Sequence, residues 1–281
     1  MSPQDRQLAE YLRARRESLQ PEDVGLSRGP GRRVPGLRRE EVADRAGISV
    51  DYYLRLEQGR DRQPSEQVVR ALSRALLLDP DSSDYLHRIS SPAPAGRRAA
   101  SPETLHGVMR LLTSWSHNPA YVTDSNLDVV AANDAARALA PGYFEPGANL
   151  LVSAFDASVD PHSRNEWEKT VRRLASALRY HADPADPRLQ QILGDLSVRS
   201  RPFRRIWALH EAQRHPSGVG SYEIPPVGWV PLQWQILDIP GTPGHLLTTF
   251  FAEPGSVAER ALQGLTRSSR PDDAAATSAA L

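Results

Sequence analysis

The chain has 281 residues, with 34 basic and 34 acidic side chains, so its net charge indicates no class of partner by itself. It has no cysteine, which excludes disulfides, thiolate nucleophiles and cysteine metal sites. No stretch has the pattern of a signal peptide or the ~18 apolar residues of a membrane span, so we expect a cytoplasmic protein without membrane contact. The length suits two domains, each able to bury a core.

The N-terminal part contains a strongly basic loop. Apolar residues at helical spacing predict a first helix over 3–19, and a Gly/Pro-rich loop follows it. From Arg28 to Arg39 this loop has five arginines and no acid, and a flexible, unopposed basic loop is typical of phosphate contact. A merely solvated loop is the alternative, and a GC-rich genome would equally explain the arginines. The five are Arg28, Arg32, Arg33, Arg38 and Arg39.

The next stretch, 39–59, has the pattern of two helices joined by a tight turn. Val42, Ala43 and Ala46 share one helical face, and a glycine follows at the usual C-terminal position. Ser49 is a good N-cap for a second helix, predicted over 50–58. A helix, a short turn with glycine and a second helix predict a helix-turn-helix that binds double-stranded DNA.

In a helix-turn-helix, the first residues of the second helix approach the edges of the bases. Arg55 is the best candidate for a bidentate contact to guanine, and an ion pair with Asp51 is the alternative. Tyr53 falls on the inner face, whereas Tyr52 is predicted to be exposed. The candidate base contacts are Ser49, Val50, Asp51, Tyr52 and Arg55. Arg60 and Arg62 are further candidates for phosphate contact.

Two more helices complete the predicted N-terminal domain. Ser65 caps a helix over 66–77, and Asp79 with Pro80 starts another that ends near Ile89. We therefore predict an all-α domain of five helices over 1–90. The segment 91–102 is rich in Pro, Ala and Ser and is predicted to be a linker.

The remainder changes to a mixed pattern. A strand, a turn and a second strand are predicted before a helix over 134–139, and further helices are predicted over 166–180, 187–196 and 202–212. The last third alternates apolar and polar residues, which is typical of a half-buried antiparallel sheet. The prediction is an α+β domain over 103–255 with helices covering the sheet, then a short helical extension and a disordered tail over 256–281.

Apolar faces in this second domain could line a pocket for a small apolar ligand. Phe203, Ile206 and Trp207 share a helical face, and Trp234 and Ile236 share a strand face. The alternative is that these side chains simply form the core. An acidic head group would need an arginine. The candidate pocket residues are Leu174, Leu178, Phe203, Ile206, Trp207, Trp234, Ile236, Arg204 and Arg205.

Enzymatic motifs and metal-binding spacings are missing from the sequence. The histidines are scattered without the spacing of a metal site, and there is no GxSxG, GxGxxG or P-loop. We therefore expect no catalytic residues, no metal and no cofactor other than a small apolar ligand.

The chain also resembles a known family. GRRVPGLRREEVADRAGISVDYYLRLEQGRDRQPS resembles the Cro/C1-type (Xre family) helix-turn-helix of bacterial MmyB-like regulators, and the second half is similar to their C-terminal domain. The resemblance implies a PAS-like C-terminal domain with an apolar pocket for a fatty acid or similar ligand. The matching segments there are 118–139, 149–156, 166–167 and 200–212. Where many members have a His-Pro pair, this chain has YEIPP at 222–226.

Together these features predict a sequence-specific transcription regulator whose C-terminal domain senses a small apolar ligand. Paired half-sites on DNA favour a homodimer, and DNA binding implies association with the nucleoid. The alternative is a DNA-binding regulator whose C-terminal domain is a dimerisation or protein-interaction module without a small ligand.

Overall fold

The computed structural model describes residues 3–28, 32, 34–61, 63–91, 102–115, 118–157 and 164–268. The chain folds into two compact units. The helical unit combines Met1–Ala95 with Ala175–Arg214, and the sheet unit combines Gly96–Leu174 with His215–Leu281. The predicted linker lies largely outside the described residues, as does the predicted disordered tail.

The N-terminal part of the helical unit is all-α, as predicted. Its helices are α1 (Pro3–Ser18), α2 (Arg39–Ala46), α3 (Val50–Glu57), α4 (Glu66–Ala75) and α5 (Pro80–Ser90), with a 3₁₀ turn at Pro21–Val24. The predicted serine and aspartate caps are present, because Ser49, Ser65 and Asp79 each accept a hydrogen bond from a backbone N–H in the first turn. The local signals in the sequence therefore determined where these helices begin.

The middle of the chain supplies elements to both units. These elements are α6 (Pro102–Ser114), β1 (Ala120–Thr123), β2 (Val129–Ala132), α7 (Asp134–Leu139), α8 (Leu150–Asp156), α9 (Arg164–His181), α10 (Pro187–Arg199) and α11 (Arg201–Trp207). The boundary between the units falls inside α9, after Leu174. The helix predicted over 202–212 ends earlier, at Trp207, and His210 then adopts a positive φ of 50°.

The sheet unit is built on one antiparallel sheet of five strands. The last strands are β3 (Ser217–Ile224), β4 (Gly228–Asp238) and β5 (Leu246–Phe251), and helix α12 (Val257–Ser268) follows. The strand order is β2-β1-β5-β4-β3. Opposite residues include Tyr121 with Thr248 and Trp234 with Phe250, so these four side chains share one face. Near β1, the other face packs against Leu112 of α6.

The division into units differs from the predicted domains. The prediction placed all of 103–255 in one domain, but Ala175–Arg214 groups with the N-terminal helices. Tyr180 and Ala212 are buried in the same apolar core as Tyr11, Tyr53 and Tyr85, which explains the difference. Apolar spacing in the sequence shows that a helix has a buried face, but not which core that face joins.

Candidate nucleic-acid interface and aromatic cluster

The turn between α2 and α3 presents the start of α3 to solvent. Gly47 ends α2 with a φ of 65°, a conformation that glycine adopts without strain. The Ser49 hydroxyl then accepts a hydrogen bond of 3.2 Å from the Tyr52 N–H. Ala43 is fully buried, and its small side chain fits the close approach of the two helices. Ser49, Val50 and Asp51 are all exposed as a result, which is where a helix-turn-helix contacts bases.

Arg55 and Tyr52 form the other part of this surface. The Arg55 side chain is 51% exposed, and its Nε lies 4.0 Å from Oδ2 of Asp61. Its Cζ lies 5.4 Å from the Tyr52 ring centre. The ion partner is thus Asp61 and not Asp51, the partner that was considered from sequence. Tyr52 is half-buried against the helical core, whereas the prediction had it exposed.

Arg32 is turned inward, in contrast to the predicted phosphate contact. Its two terminal nitrogens each lie 2.7 Å from a Glu41 carboxylate oxygen, and one also donates to the Gly36 carbonyl at 2.6 Å. The side chain is 6% exposed. The hydrogen bond from Arg32 lowers the pKa of Glu41 below its ordinary value. The prediction of an unopposed basic loop was therefore wrong at Arg32, because its acid comes from α2.

Arg28 is also opposed, although it stays in solvent. Its Nε lies 3.3 Å from Glu22, and its Nη2 donates to Gln20 at 2.7 Å. The pair is exposed on both sides, so solvent screens it and phosphate can compete for the guanidinium. Arg28 therefore remains a candidate, but not an unpaired one.

The basic loop is anchored to α1 through a close backbone approach. The Leu37 N–H donates to the Arg16 carbonyl at 3.0 Å. A Cβ on Gly36 would lie 2.4 Å from the Glu17 carbonyl oxygen, so only glycine fits there. This contact fixes the end of the loop directly before α2 and orients the exposed Arg38.

A buried ion pair of Arg16 with Glu57, to which the partly exposed Arg39 adds a second cation, lies beneath the interface and was not predicted from the sequence. Arg16 Nε lies 2.5 Å from Glu57 Oε1, and Arg39 Nε lies 2.7 Å from Glu57 Oε2. Burial would raise the pKa of Glu57, but hydrogen bonds from Arg16 and then Arg39 outweigh it, so the pKa lies below its ordinary value. Glu57 follows Tyr53 by four residues on the inner face, and that spacing was the available signal.

The remaining predicted phosphate contacts differ in what the structure shows of them. Arg38 and Arg60 are exposed, and the Arg39 side chain is 43% exposed although it binds Glu57. Arg33 and Arg62 lie outside the described residues. Of the predicted DNA contacts with a charged guanidinium, Arg28, Arg38, Arg39, Arg60 and Arg55 therefore reach solvent in the described part of the chain.

The sheet unit contains a cluster of aromatic side chains on the face of Trp234. Tyr121 stacks on Phe144 with ring centres 4.5 Å apart, and Phe250 lies 5.2 Å from Tyr222. Phe250 also lies 5.8 Å from Phe144, which joins these contacts into one group. We call Tyr121, Tyr143, Phe144, Tyr222, Trp234 and Phe250 the aromatic cluster.

Arg173 of α9 joins this cluster. Its Cζ lies 4.6 Å from the Trp234 ring centre, and its charge acts on the Tyr222 phenol. Burial raises the pKa of Tyr222, and that of Tyr143, well above the ordinary value, so both phenols are neutral donors. The indole N–H of Trp234 is buried and has no hydrogen-bond partner among the described residues. A cation and one unsatisfied donor, the Trp234 N–H, thus lie among aromatic rings, an arrangement that suits an anionic group attached to an apolar chain.

A glycine makes room for the Trp234 ring. Gly218 lies opposite Trp234 across β3 and β4. A Cβ there would lie 2.4 Å from Cζ2 of the ring. The indole is therefore positioned by the absence of a side chain on its neighbour.

The predicted pocket residues do not all belong to the sheet unit. Leu174, Trp234 and Ile236 are in it, and Trp234 is part of the aromatic cluster. Six others belong to the helical unit: Leu178, Phe203, Arg204, Arg205, Ile206 and Trp207. Arg204 donates to the Ser197 carbonyl at 2.5 Å. Arg173, which is not among the predicted pocket residues, is the arginine that contacts the cluster.

Comparison with known protein families matches both halves of the chain. A helix-turn-helix domain model matches residues 7–86. The model of the MmyB-like transcription regulator ligand binding domain matches residues 106–265. Among curated proteins, none matches the chain. Both matched domains are typical of transcription regulators and not of enzymes. In the part of the chain that the structure describes, no helix is long and apolar enough to cross a membrane.

Proposed function

Because the chain belongs to the MmyB-like transcription regulators, we propose that it binds DNA sequence-specifically and that its sheet unit senses an apolar ligand with an anionic head, such as a fatty acid. The observation that carries the DNA-binding part is the exposed start of α3, capped by Ser49 within the matched helix-turn-helix domain. A regulator of this kind acts at the nucleoid in the cytoplasm.

The proposed DNA contacts separate into bases and phosphates. Arg55 is exposed and only weakly held by Asp61, so a bidentate contact to guanine costs little internal energy. The proposed base contacts are Ser49, Val50, Asp51, Tyr52 and Arg55. The proposed phosphate contacts are Arg28, Arg38, Arg39 and Arg60, with Arg33 and Arg62 carried over from the sequence.

Two variants of the full chain test this assignment on a duplex selected from a random pool. Arg55→Ala should relax the preference at one base pair by ~1–3 kcal/mol. Arg38→Ala with Arg60→Ala should weaken binding to all sequences and lower the salt slope by about 1 per lost phosphate contact. Arg70→Ala is the matched control, since Arg70 is equally exposed on α4 and pairs with Glu66. Unchanged binding by both test variants would refute the interface.

The aromatic cluster supports the ligand part of the proposal. A carboxylate beside Arg173 would accept hydrogen bonds from its guanidinium and from the unsatisfied Trp234 N–H. Leu174 and Ile236, two of the predicted pocket residues, lie in the same unit as the aromatic cluster. In this proposal they lie beside the alkyl chain of the fatty acid. Such a site would select the anionic acid over its neutral derivatives.

Quenching of tryptophan fluorescence, titrated with saturated fatty acids of increasing length, tests this selection. The methyl ester of each acid is the matched control ligand. We expect the wild type to bind the acid at least tenfold more tightly than its ester, as expected for ~1.5–3 kcal/mol from a hydrogen-bonded charge. Arg173→Met should bind acid and ester equally. No response to any acid would refute the fatty-acid proposal.

The alternative function, a dimerisation or protein-interaction module, has one observation in its favour. The sheet face opposite the aromatic cluster exposes Val219 on β3 and Trp229 on β4, and Trp229 is 60% exposed. A large exposed apolar side chain is typical of interaction surfaces. If Trp229→Ser lowers the mass measured by sedimentation while fatty acids have no effect, this alternative is favoured.

A further inference from the structure

The last forty residues of the helical unit come from the middle of the chain and pack on α1 and α5. We call Ala175–Arg214 the docking segment. Tyr180 and Ala212 of this segment are buried in the core formed by the N-terminal helices. The Tyr180 ring lies 6.1 Å from the Tyr85 ring of α5. The docking segment is therefore part of the DNA-binding unit, although the family model assigns it to the ligand-binding domain.

Arg179 lies at the centre of this contact. It is 5% exposed, and its Nη2 donates to the Trp207 carbonyl at 2.6 Å. Its Cζ lies 3.7 Å from the Trp207 ring centre, and its Nη1 lies 3.2 Å from Nδ1 of His210. Burial raises the pKa of Tyr85 of α5, and the charge of Arg179 partly opposes that shift. One guanidinium thus joins α9 to the chain around the end of α11, and its charge also acts on α5.

Further polar contacts tie the end of the docking segment to the start of α5. Gln213 donates to the Asp79 carboxylate at 3.0 Å, and that carboxylate also caps α5. The Arg214 N–H donates to Asp81 at 3.0 Å, and its side chain donates to the Tyr180 hydroxyl at 2.7 Å. The segment is thus held on α5 by directional bonds as well as by apolar packing.

The charge of Arg179 is held in an unusual way. Among the described residues it forms no ion pair with a carboxylate, although the charge of Glu10 also favours its protonated form. Its direct partners are a carbonyl, an imidazole and an indole ring. Burial lowers its pKa accordingly. A buried cation without a carboxylate recovers only part of its desolvation cost, so the contact it makes is easier to release than a closed ion pair.

We propose that the docking segment transmits the state of the sheet unit to the DNA-binding helices, with Arg179 as its positioning residue. The same helix, α9, carries Arg173 in the aromatic cluster and Arg179 in the docking segment, six residues apart. A shift of α9 on ligand binding releases or tightens the hold on α1 and α5. The part of this proposal that concerns ligand binding rests on the proposed function, whereas the contribution of the docking segment to DNA binding does not.

The test uses the full chain, with Arg179→Met as the variant. Methionine keeps the length and apolar packing of the stem but removes every hydrogen bond. Arg201→Met is the matched control, because Arg201 is an exposed arginine of the same segment. Arg214→Met is a second and milder variant, in case the first does not fold. Arg214 is exposed, and the substitution removes its side-chain hydrogen bond to Tyr180.

Hydrogen exchange and DNA affinity are then measured together. In Arg179→Met, amide exchange should rise in the docking segment and in α5, while β4 and β5 stay as in the wild type. Affinity for the selected duplex should change at least fivefold, the lower end of typical coupling between sites. Fatty acid should change DNA affinity in the wild type and leave it unchanged in the variant.

The outcomes separate this inference from the proposed function. If fatty acid does not change the DNA affinity of the wild type, only the ligand proposal is refuted. The inference about the docking segment is then decided by comparing the DNA affinities of the wild type and Arg179→Met without ligand. An Arg179→Met affinity within twofold of the wild type, or unchanged exchange in α5, would overturn it. Equal effects of Arg201→Met and Arg179→Met would overturn it as well, since the effect would not depend on the buried contact.

Discussion

Arginines in the two units differ in the partner that stabilises their charge. In the helical unit, Arg16 and Arg39 close on the buried carboxylate of Glu57, at 2.5 and 2.7 Å. In the sheet unit, Arg173 lies over the Trp234 ring, with its Cζ 4.6 Å from the ring centre. A carboxylate neutralises the cation, whereas an aromatic ring leaves its charge available. The first arrangement builds a scaffold, and the second is suited to receive an anion.

The largest effect should come from breaking the closed arrangement. Glu57→Gln leaves the buried Arg16 with only the exposed Glu17 as counter-charge, and breaking a buried pair costs ~3–5 kcal/mol of unfolding free energy. Urea denaturation of the full chain, followed by circular dichroism, measures this loss. Glu66→Gln, which breaks an exposed pair with Arg70, should cost no more than ~0.5 kcal/mol. A loss below ~1 kcal/mol for Glu57→Gln would contradict the distinction.

An intermediate effect is expected at His210, which lies beside a cation without a carboxylate. Burial, and then the charges of Arg179 and Arg15, lower the pKa of His210 to about 3. The unfolded chain binds this proton near pH 6.5, so stability is complete above that pH and falls toward pH 3. Between pH 7 and pH 5 this site should account for a loss of about 2 kcal/mol.

His210→Asn isolates that contribution. Asparagine can still accept the hydrogen bond from Arg179 and tolerates the positive φ at this position, but it does not titrate. The variant should lose about 2 kcal/mol less stability than the wild type between pH 7 and pH 5, measured by urea denaturation at each pH. Identical pH profiles of the two proteins would show that His210 is protonated in the folded state.

The smallest effect on stability is expected at Arg173. Its contact with Trp234 is worth ~0.5–1 kcal/mol at a partly exposed site, so Arg173→Met should lower the unfolding free energy by no more than that. The same denaturation measurement checks it. A loss as large as that of Glu57→Gln would mean that Arg173 also serves the scaffold, and the contrast between the two units would fail.

How far each part could be predicted depends on the distance between interacting residues. Gly47, Ser49 and the apolar face of α2 act within a few residues, so the helix-turn-helix was predicted and then confirmed. Alternation along β4 likewise predicted the antiparallel sheet. The pairing of Arg16 with Glu57 joins residues 41 positions apart, and a single sequence contains no signal for it.

The predicted pocket residues are divided between the two units for a related reason. The apolar face of α11, which includes Phe203 and Ile206, was correctly recognised as buried. It packs in the helical unit, because α9 carries the chain out of the sheet unit before α10 and α11 form. The positions of the Arg32 and Arg173 side chains could not be predicted for the same reason, since each depends on a partner from a different element.

The unit boundary inside α9 has a consequence for how such regulators could recombine in evolution. A gene fusion that joins a new sensor after residue 91 would inherit α1–α5 without the segment that covers Tyr85 and caps the start of α5. Its DNA-reading helices would remain, but with an apolar face open to water. An exchange that keeps both α1–α5 and Ala175–Arg214 would preserve the complete helical unit. The part of this protein that can be transferred intact is therefore encoded by two separate segments of the gene.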